Sequence, residues 1–388
     1  MSNSIIPYGR QSIREDDIQA VVEVLRSDLI TQGPVSVQFE RAIADYCGAR
    51  YAVAVSSGTA ALHLAAMAAG FGSGDEVITS PMTFVASSNC ALYCGAVPVF
   101  ADIDAKTYCI DVGHIRLKIN AATRGVIPVH FAGQPCRMAE ISAMAKEHKL
   151  TVIEDAAHAI GAEYDIDGKT FKVGSCAHSD MTIFSFHPVK HITCGEGGAI
   201  TTNNRELYAK LQRLRTHGIT KNPDEMEIDG GPWYYEMHEL GYNFRITDFQ
   251  CALGMSQLKK LDNFVARRRE IVAAYNLAFG AESELITPFE SGDVRSSYHL
   301  YVVQFRTLDR LTVFNALREK GIGVNVHYIP VHLQPYYRKN LGCKPGDHPE
   351  AETYYSRVVT LPIYPDMTDE MVDRVIMGVC DTVRELGR

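Results

Sequence analysis

From about residue 50 to residue 200 the chain alternates between short apolar runs and longer segments of helical character. Runs rich in β-branched residues at 53–55, 76–79, 97–100, 125–130 and 151–154 read as strands. The segments 59–69, 84–93 and 138–148 read as the helices between them. Strands that alternate with helices predict an α/β layer around a mostly parallel sheet, because parallel neighbours need a long crossover. Residues 181–185 and 198–202 add two more strands. Beyond residue 203 the texture changes. Residues 206–217 and 248–279 look helical, the second as one long helix carrying Arg267, Arg268 and Arg269. The polar stretch 222–232, with its Gly and Pro, reads as a surface loop. From about residue 298 the order is strand (YVVQF), helix (VFNALREKG), strand (VNVHYIP) and a final helix from about Asp369. The expected division is an N-terminal arm over 1–20, a large domain over 21–265 and a small α+β domain over 266–388.

Composition narrows the function classes. A chain of 388 residues has room for two packed domains, and 46% hydrophobic with 22% charged residues is an ordinary globular balance. The net charge of −8 disfavours general binding to nucleic acid or to an anionic membrane, but leaves room for a local site for a phosphorylated metabolite. The ten cysteines form no C-x-x-C pair, and the start MSNSIIPYGR has neither a basic segment nor a long apolar one. No run approaches the ~18 apolar residues of a membrane span. Free thiols in a reducing cytoplasm are the expectation.

Four short strings carry candidate chemistry. Ser56-Ser57-Gly58-Thr59-Ala60-Ala61 follows a strand and opens a helix, so its backbone N–H groups and hydroxyls suit an anion; the same string also suits an ordinary N-cap. Glu154-Asp155-Ala156-Ala157-His158 ends an apolar strand, where open α/β sheets bind ligands. A carboxylate there can hold a cationic ring nitrogen or simply cap a helix. Phe184-Ser185-Phe186-His187-Pro188-Val189-Lys190, followed by a Gly-rich return, offers a lysine that desolvation would make nucleophilic, or one that merely snorkels to solvent. Phe84 in Pro81-Met82-Thr83-Phe84 is either a flat apolar face or a core residue opening a helix. His187 and His191 stand four apart, but Pro188 lies between them and no third ligand is evident, so no metal is expected. Gly70–Gly74 follows a helix and reads as a turn. Anion cradle, aromatic face, carboxylate, hydroxyl and lysine together are what pyridoxal 5'-phosphate requires.

In that combination the chain resembles the DegT/DnrJ-type sugar-nucleotide aminotransferases. The resemblance runs through SSGTAALHLA, SPMTFVASSN, VIEDAAHAIGA, FSFHPVKHITCGEGGAI, LRTHG, GYNFRITDFQCALG, GIGVNVHYIPVHLQP and SRVVTLPIYPDMT. It implies the type I aminotransferase fold and pyridoxal 5'-phosphate as cofactor. Lys190 would form the Schiff base and shuttle the proton. Asp155 would hold the pyridine nitrogen, and Gly58, Thr59 and Ser185 the phosphate. Phe84 would stack on the ring. Asn243 would reach the cofactor phosphate of a neighbouring subunit, implying a homodimer with shared active sites. His158 stands where many members carry Gln, near the cofactor's phenolic oxygen. With HYIP and PYGRQSI, it is most similar to the subgroup that makes UDP-4-amino-4,6-dideoxy-N-acetyl-β-L-altrosamine for pseudaminic acid. Related dehydratases carry His in place of the lysine, so Lys190 favours transamination. The implied reaction is ping-pong: L-glutamate leaves as 2-oxoglutarate, and its amine goes to the C4 ketone of a UDP-4-keto-6-deoxy sugar. Tyr8, the loop of Asp28, Leu29, Ile30 and Thr31, and His327 with Tyr328 are the expected sugar contacts. Arg245 is the expected partner of the glutamate carboxylate. Packing roles for Tyr8 and Tyr328, a satisfied strand histidine at His327, a turn role for Asn243 and a surface ion pair for Arg245 are the alternatives. Other 4-keto nucleotide sugars (bacillosamine- or perosamine-type), a different pyridoxal phosphate enzyme on the same fold, and a non-catalytic nucleotide-sugar-binding protein are the rival functions.

Overall fold

The protein is described by a computed structural model over residues 5–387. Its strands are β1 (Tyr51–Val55), β2 (Glu76–Thr79), β3 (Val97–Phe100), β4 (Thr123–Ile127), β5 (Thr151–Asp155), β6 (Glu163–Ile166), β7 (Lys169–Lys172), β8 (Met181–Ser185), β9 (Gly198–Thr202), β10 (Ile219–Thr220), β11 (Glu236–Met237), β12 (Leu285–Ile286), β13 (Val294–Arg295), β14 (Tyr301–Phe305) and β15 (Val358–Leu361). Its helices are α1 (Glu15–Leu25), α2 (Pro34–Cys47), α3 (Gly58–Ala68), α4 (Ala86–Tyr93), α5 (Val112–Lys118), α6 (Met138–His148), α7 (Arg205–Arg215), α8 (Asp248–Leu258), α9 (Leu261–Phe279), α10 (Arg310–Glu319), α11 (Pro335–Leu341), α12 (Pro349–Arg357) and α13 (Asp369–Leu386).

Seven strands form the large sheet in the order β1-β9-β8-β5-β4-β2-β3. Pairing is parallel from β8 through β5, β4 and β2 to β3, and antiparallel where β9 meets β1 and β8. Each strand feeds both faces of the sheet. Ala52 and Ala54, Val126, Val152 and Phe184 enter one core with α2, α6 and α8. Val53 and Val55, Ile127, Ile153 and Ile183 enter a second core with α3, α4 and α7. Side chains alternate across a strand, so a strand covered on both faces needs apolar residues at both alternating positions, as these have along their middles. A third core joins α9, α10 and α13 to β14 and β15, with Ile6 packed into it. The expected arm therefore belongs partly to the small core; its first four residues lie outside the described residues. Among the described residues no helix is long and apolar enough to cross a membrane.

Two expected elements differ. Residues 248–279 are two helices, α8 and α9, rather than one; α9 puts Leu261, Phe264 and Val265 into the first core and Ile271, Val272, Tyr275 and Phe279 into the third. At the break, Lys260 Nζ is drawn to Asp16 and Asp17 on α1, 2.7 Å from each. Residues 324–330 are not a strand. Asn325 makes a single bridge to Thr360, and the chain then leaves the sheet to dock on the loop after β2, with Val331 N–H donating to Pro81 O at 2.8 Å. The small sheet is completed by β15 instead. Two smaller shifts follow proline and loop geometry: β4 ends at Ile127, before Pro128, and Phe84 precedes α4 rather than lying in it.

Candidate active site

The carboxyl ends of β5 and β8 and the N-terminus of α3 open on a cleft of about 430 Å³. On β5, alternation sends Glu154 and Asp155 to opposite faces. Glu154 is buried against His130 Nε2 at 2.7 Å and against Thr182 Oγ1 at 2.9 Å. Asp155 faces the cleft, where its Oδ2 accepts from Ser87 Oγ at 2.6 Å and its Oδ1 from Ala157 N–H at 3.1 Å. The helix-capping alternative falls, because a turn over 157–161 rather than a helix follows β5; Asp155 instead caps that turn while facing the cleft. Burial pushes its carboxyl above the usual range, opposed by these hydrogen bonds and by Lys190.

Lys190 sits on the return between β8 and β9, where a turn closes by Lys190 N–H donating to His187 O at 2.9 Å. The return is pinned at its base by Phe186 N–H to Gly197 O at 2.8 Å. Its amine lines the same cleft as Asp155. Enclosure lowers its pKa to about 8, although the charge of Asp155 acts to raise it. This lysine does not snorkel to open solvent.

The anion cradle forms at α3. Ser57 caps the helix by accepting from Ala60 N–H at 3.0 Å, which leaves the first N–H groups of Gly58 and Thr59 without intrahelical acceptors. Only glycine fits at 58: a Cβ there would stand 2.8 Å from Ser185 Cβ and 3.1 Å from its Oγ. Gly198 is under the same constraint, since a Cβ would lie 2.5 Å from Ser57 O. The missing side chains let the end of β8 approach the helix N-terminus, so that Gly58, Thr59 and Ser185 line one wall of the cleft.

Phe84 is 59% exposed at the cleft and is not a core residue. His158 is buried, with its Nε2 3.0 Å from Tyr328 Oη and its Nδ1 without a partner. Burial, then Lys190, holds its pKa well below the usual histidine value. His327 lines the cleft and also meets Thr360 Oγ1 at 2.9 Å; burial lowers its pKa to about 3. Tyr8 completes this corner, its ring 5.4 Å from that of His327. His187 is exposed at the rim, whereas His191 is buried and donates from Nε2 to Ser297 O at 3.0 Å. Ser87, Thr83 and His299 also line the cleft and were not singled out from the sequence. Thr83 and Ser87 lie within the string around Phe84, but nothing in it marks them. His299 carries no signal in its own segment.

Six expected residues do not line this cleft: Asp28, Leu29, Ile30, Thr31, Asn243 and Arg245. Thr31 bridges Thr247, and Ile30 O accepts from Asp248 N–H at 2.9 Å, so the 28–31 loop lies beside the segment carrying Asn243 and Arg245. Asn243 is exposed and bridges Thr216. Arg245 makes no ion pair among the described residues.

A buried carboxylate facing an amine of lowered basicity, with an anion cradle beside them, defines the pyridoxal phosphate class of fold and site. The model of the DegT/DnrJ/EryC1/StrS aminotransferase family matches residues 11–380, and the chain belongs to that family. It is accordingly a sugar aminotransferase with pyridoxal 5'-phosphate as cofactor. It is 44% identical over 387 residues to the spore coat polysaccharide biosynthesis protein SpsC of Bacillus subtilis, covering 98% of each chain. Its structure matches Helicobacter pylori PseC, an aminotransferase involved in the biosynthesis of pseudoaminic acid, with a TM-score of 0.89 and 30% identity, over 98% of this chain and 100% of that one. It matches the PLP-form of Spr1654 from Streptococcus pneumoniae with a TM-score of 0.90 and 31% identity, over 98% and 99%. The PMP-form of that protein matches equally, with a TM-score of 0.90.

Proposed function

We propose that the protein transfers the amino group of L-glutamate to the C4 ketone of a UDP-4-keto-6-deoxy-N-acetylhexosamine, giving UDP-4-amino-4,6-dideoxy-N-acetyl-β-L-altrosamine. The observation that carries the transfer reaction is Lys190, an enclosed amine of pKa about 8 in one cleft with Asp155. Bound there, pyridoxal phosphate supplies an aldehyde that takes up an amino group and a cationic ring that draws electrons. The residues fit it. Gly58, Thr59 and Ser185 would take the phosphate, Asp155 the ring nitrogen, Phe84 the ring face and Lys190 the aldehyde end. The unpartnered Nδ1 of His158 is a buried polar atom that a ligand can satisfy.

Each side chain then has a defined task. Lys190 Nζ accepts a proton and returns it, because near neutrality it exchanges readily between charged and free forms. Asp155, accepting from Ser87 and Ala157, would pair with the ring nitrogen and favour its charged form. His158, held neutral, offers a hydrogen bond rather than a charge, and Tyr328 fixes its ring. Tyr8, His327 and Tyr328 shape the sugar side. The similarity to PseC supports the altrosamine product. The higher identity to SpsC favours a second reading, in which another 4-keto nucleotide sugar is the acceptor. Glutamate with a panel of 4-keto nucleotide sugars, analysed by mass spectrometry and NMR, separates the two. An active Lys190→Ala enzyme would overturn both.

The same reading places the enzyme in the cytoplasm as a homodimer with shared active sites. Its support is Asn243, which is exposed outside this chain's own cleft, as a residue reaching a neighbouring subunit must be. Mixing Lys190→Ala with Asn243→Asp under subunit exchange should restore up to about one quarter of wild-type activity, since half the dimers are then mixed and each has one intact site. No recovery, with exchange demonstrated, would sink the shared site.

A further inference from the structure

Asp155 is held by more than its backbone. Ser87 Oγ lies 2.6 Å from Asp155 Oδ2 and 2.7 Å from Thr83 Oγ1, and all three residues are buried. An ionised carboxylate only accepts, so the one hydroxyl proton of Ser87 goes to Asp155. The contact with Thr83 therefore runs one way: Thr83 donates and Ser87 accepts. Ser87 Oγ also lies 3.3 Å from Phe84 O, but that longer contact loses the proton to the short charge-assisted bond. The transfer reaction as described gives neither hydroxyl a task.

We propose that Thr83 and Ser87 form a positioning relay that keeps the Asp155 carboxylate ionised and aimed into the cleft. The relay rests on the pyridoxal phosphate reading, in which Asp155 holds the ring nitrogen. Ser87 and Thr83 act through Asp155. Burial pushes that carboxyl toward its neutral form, and a neutral carboxyl cannot hold a cationic ring nitrogen. Without the Ser87 hydroxyl, Oδ2 has lost its donor inside a closed wall, where an unsatisfied charged acceptor is expensive. The relay and the ring face of Phe84 share one segment, residues 83–87, which the docking of Val331 on Pro81 holds in place.

The test uses the full chain as Ser87→Ala, Ser87→Thr and Thr83→Val. Two probes are bound at equilibrium: pyridoxal phosphate, and its analogue with the ring nitrogen replaced by carbon. The half-reaction with glutamate is followed by cofactor absorbance. Ser87→Ala should weaken pyridoxal phosphate binding and slow the half-reaction by on the order of tenfold or more, with the KM for glutamate unchanged. Thr83→Val should act in the same direction but less, and Ser87→Thr should recover most of the loss. Ser87→Ala and wild type should bind the analogue alike, because the relay works only through the ring nitrogen. Equal losses for both probes would reduce Ser87 to a packing role and overturn the relay, as would unchanged binding of pyridoxal phosphate. Failure of the wild type to bind pyridoxal phosphate would instead overturn the functional reading itself.

Discussion

The lowered basicity of Lys190 can be measured directly. An ordinary lysine has a pKa of 10.5, whereas enclosure brings Lys190 to about 8. At pH 7 the free amine is then roughly one molecule in ten rather than one in 3,000, a gain on the order of 300-fold. The perturbation is Asp155→Asn. The Asp155 charge is what raises the Lys190 pKa, so its removal leaves desolvation unopposed and the midpoint must move below 8. The assay is pulse acylation of the cofactor-free protein across pH 6–11, with the Lys190 peptide quantified by mass spectrometry against N-acetyl-lysine in the same tube. The rate should rise about tenfold per pH unit and level off near pH 8 in wild type, and lower in Asp155→Asn. A wild-type midpoint near 10 would refute the desolvation argument, and an upward shift in Asp155→Asn would refute the assigned charge coupling.

Three further outcomes follow from the same geometry. Phe84→Ala should change the unfolding free energy of the cofactor-free protein by no more than about 0.5 kcal/mol in urea titrations, yet weaken cofactor binding several-fold; a core-sized destabilisation of about 3 kcal/mol would mark a packing residue. Gly58→Ala should lower cofactor affinity by on the order of tenfold, because the new Cβ would press on Ser185 and spoil the phosphate wall; unchanged affinity in equilibrium dialysis would remove the cradle. Stability should fall as pH drops below 6.5, because burial depresses the folded pKa of His158, His191, His299 and His327 while the unfolded chain takes up protons at the ordinary value. Each such histidine adds a slope of about 1.4 kcal/mol per pH unit, lost for His327 from 6.5 down to about 3, and His327→Gln should remove one such slope in urea titrations at pH 7 and 5.

The large sheet was legible because its strands are covered on both faces along their middles, which therefore read as short apolar runs between turn signals. The legibility stopped where tertiary contacts override local pattern. No Gly or Pro interrupts residues 248–279 at the point where α8 ends, and the chain breaks there with Lys260 held to α1 from 244 residues away. Val324 and Val326 alternate like a strand, but Tyr328 is drawn off the sheet toward His158. The hairpin of β6 and β7 was missed because its residues are largely polar and half exposed, which hides the period-2 signal.

The site divides along the same line. Asp155, Gly58 and Ser185 were legible because each lies at a strand end or helix start, and Lys190 because it lies on the Gly-rich return that follows β8; in each a short string fixes both chemistry and placement. Tyr8, His327 and Tyr328 reach the cleft only through the fold: Ile6 is bridged to Ile322, and the 328–331 segment rests on the loop after β2. Ser87 and His299 line the cleft with nothing in the sequence to mark them, since a buried serine and a buried histidine look like any other core polar residue. Asp28 through Thr31, Asn243 and Arg245 come from two stretches more than 200 residues apart, yet the Thr31–Thr247 bridge brings them into one neighbourhood outside the cleft. The subunit-exchange experiment decides whether this neighbourhood belongs to a site that a second chain completes.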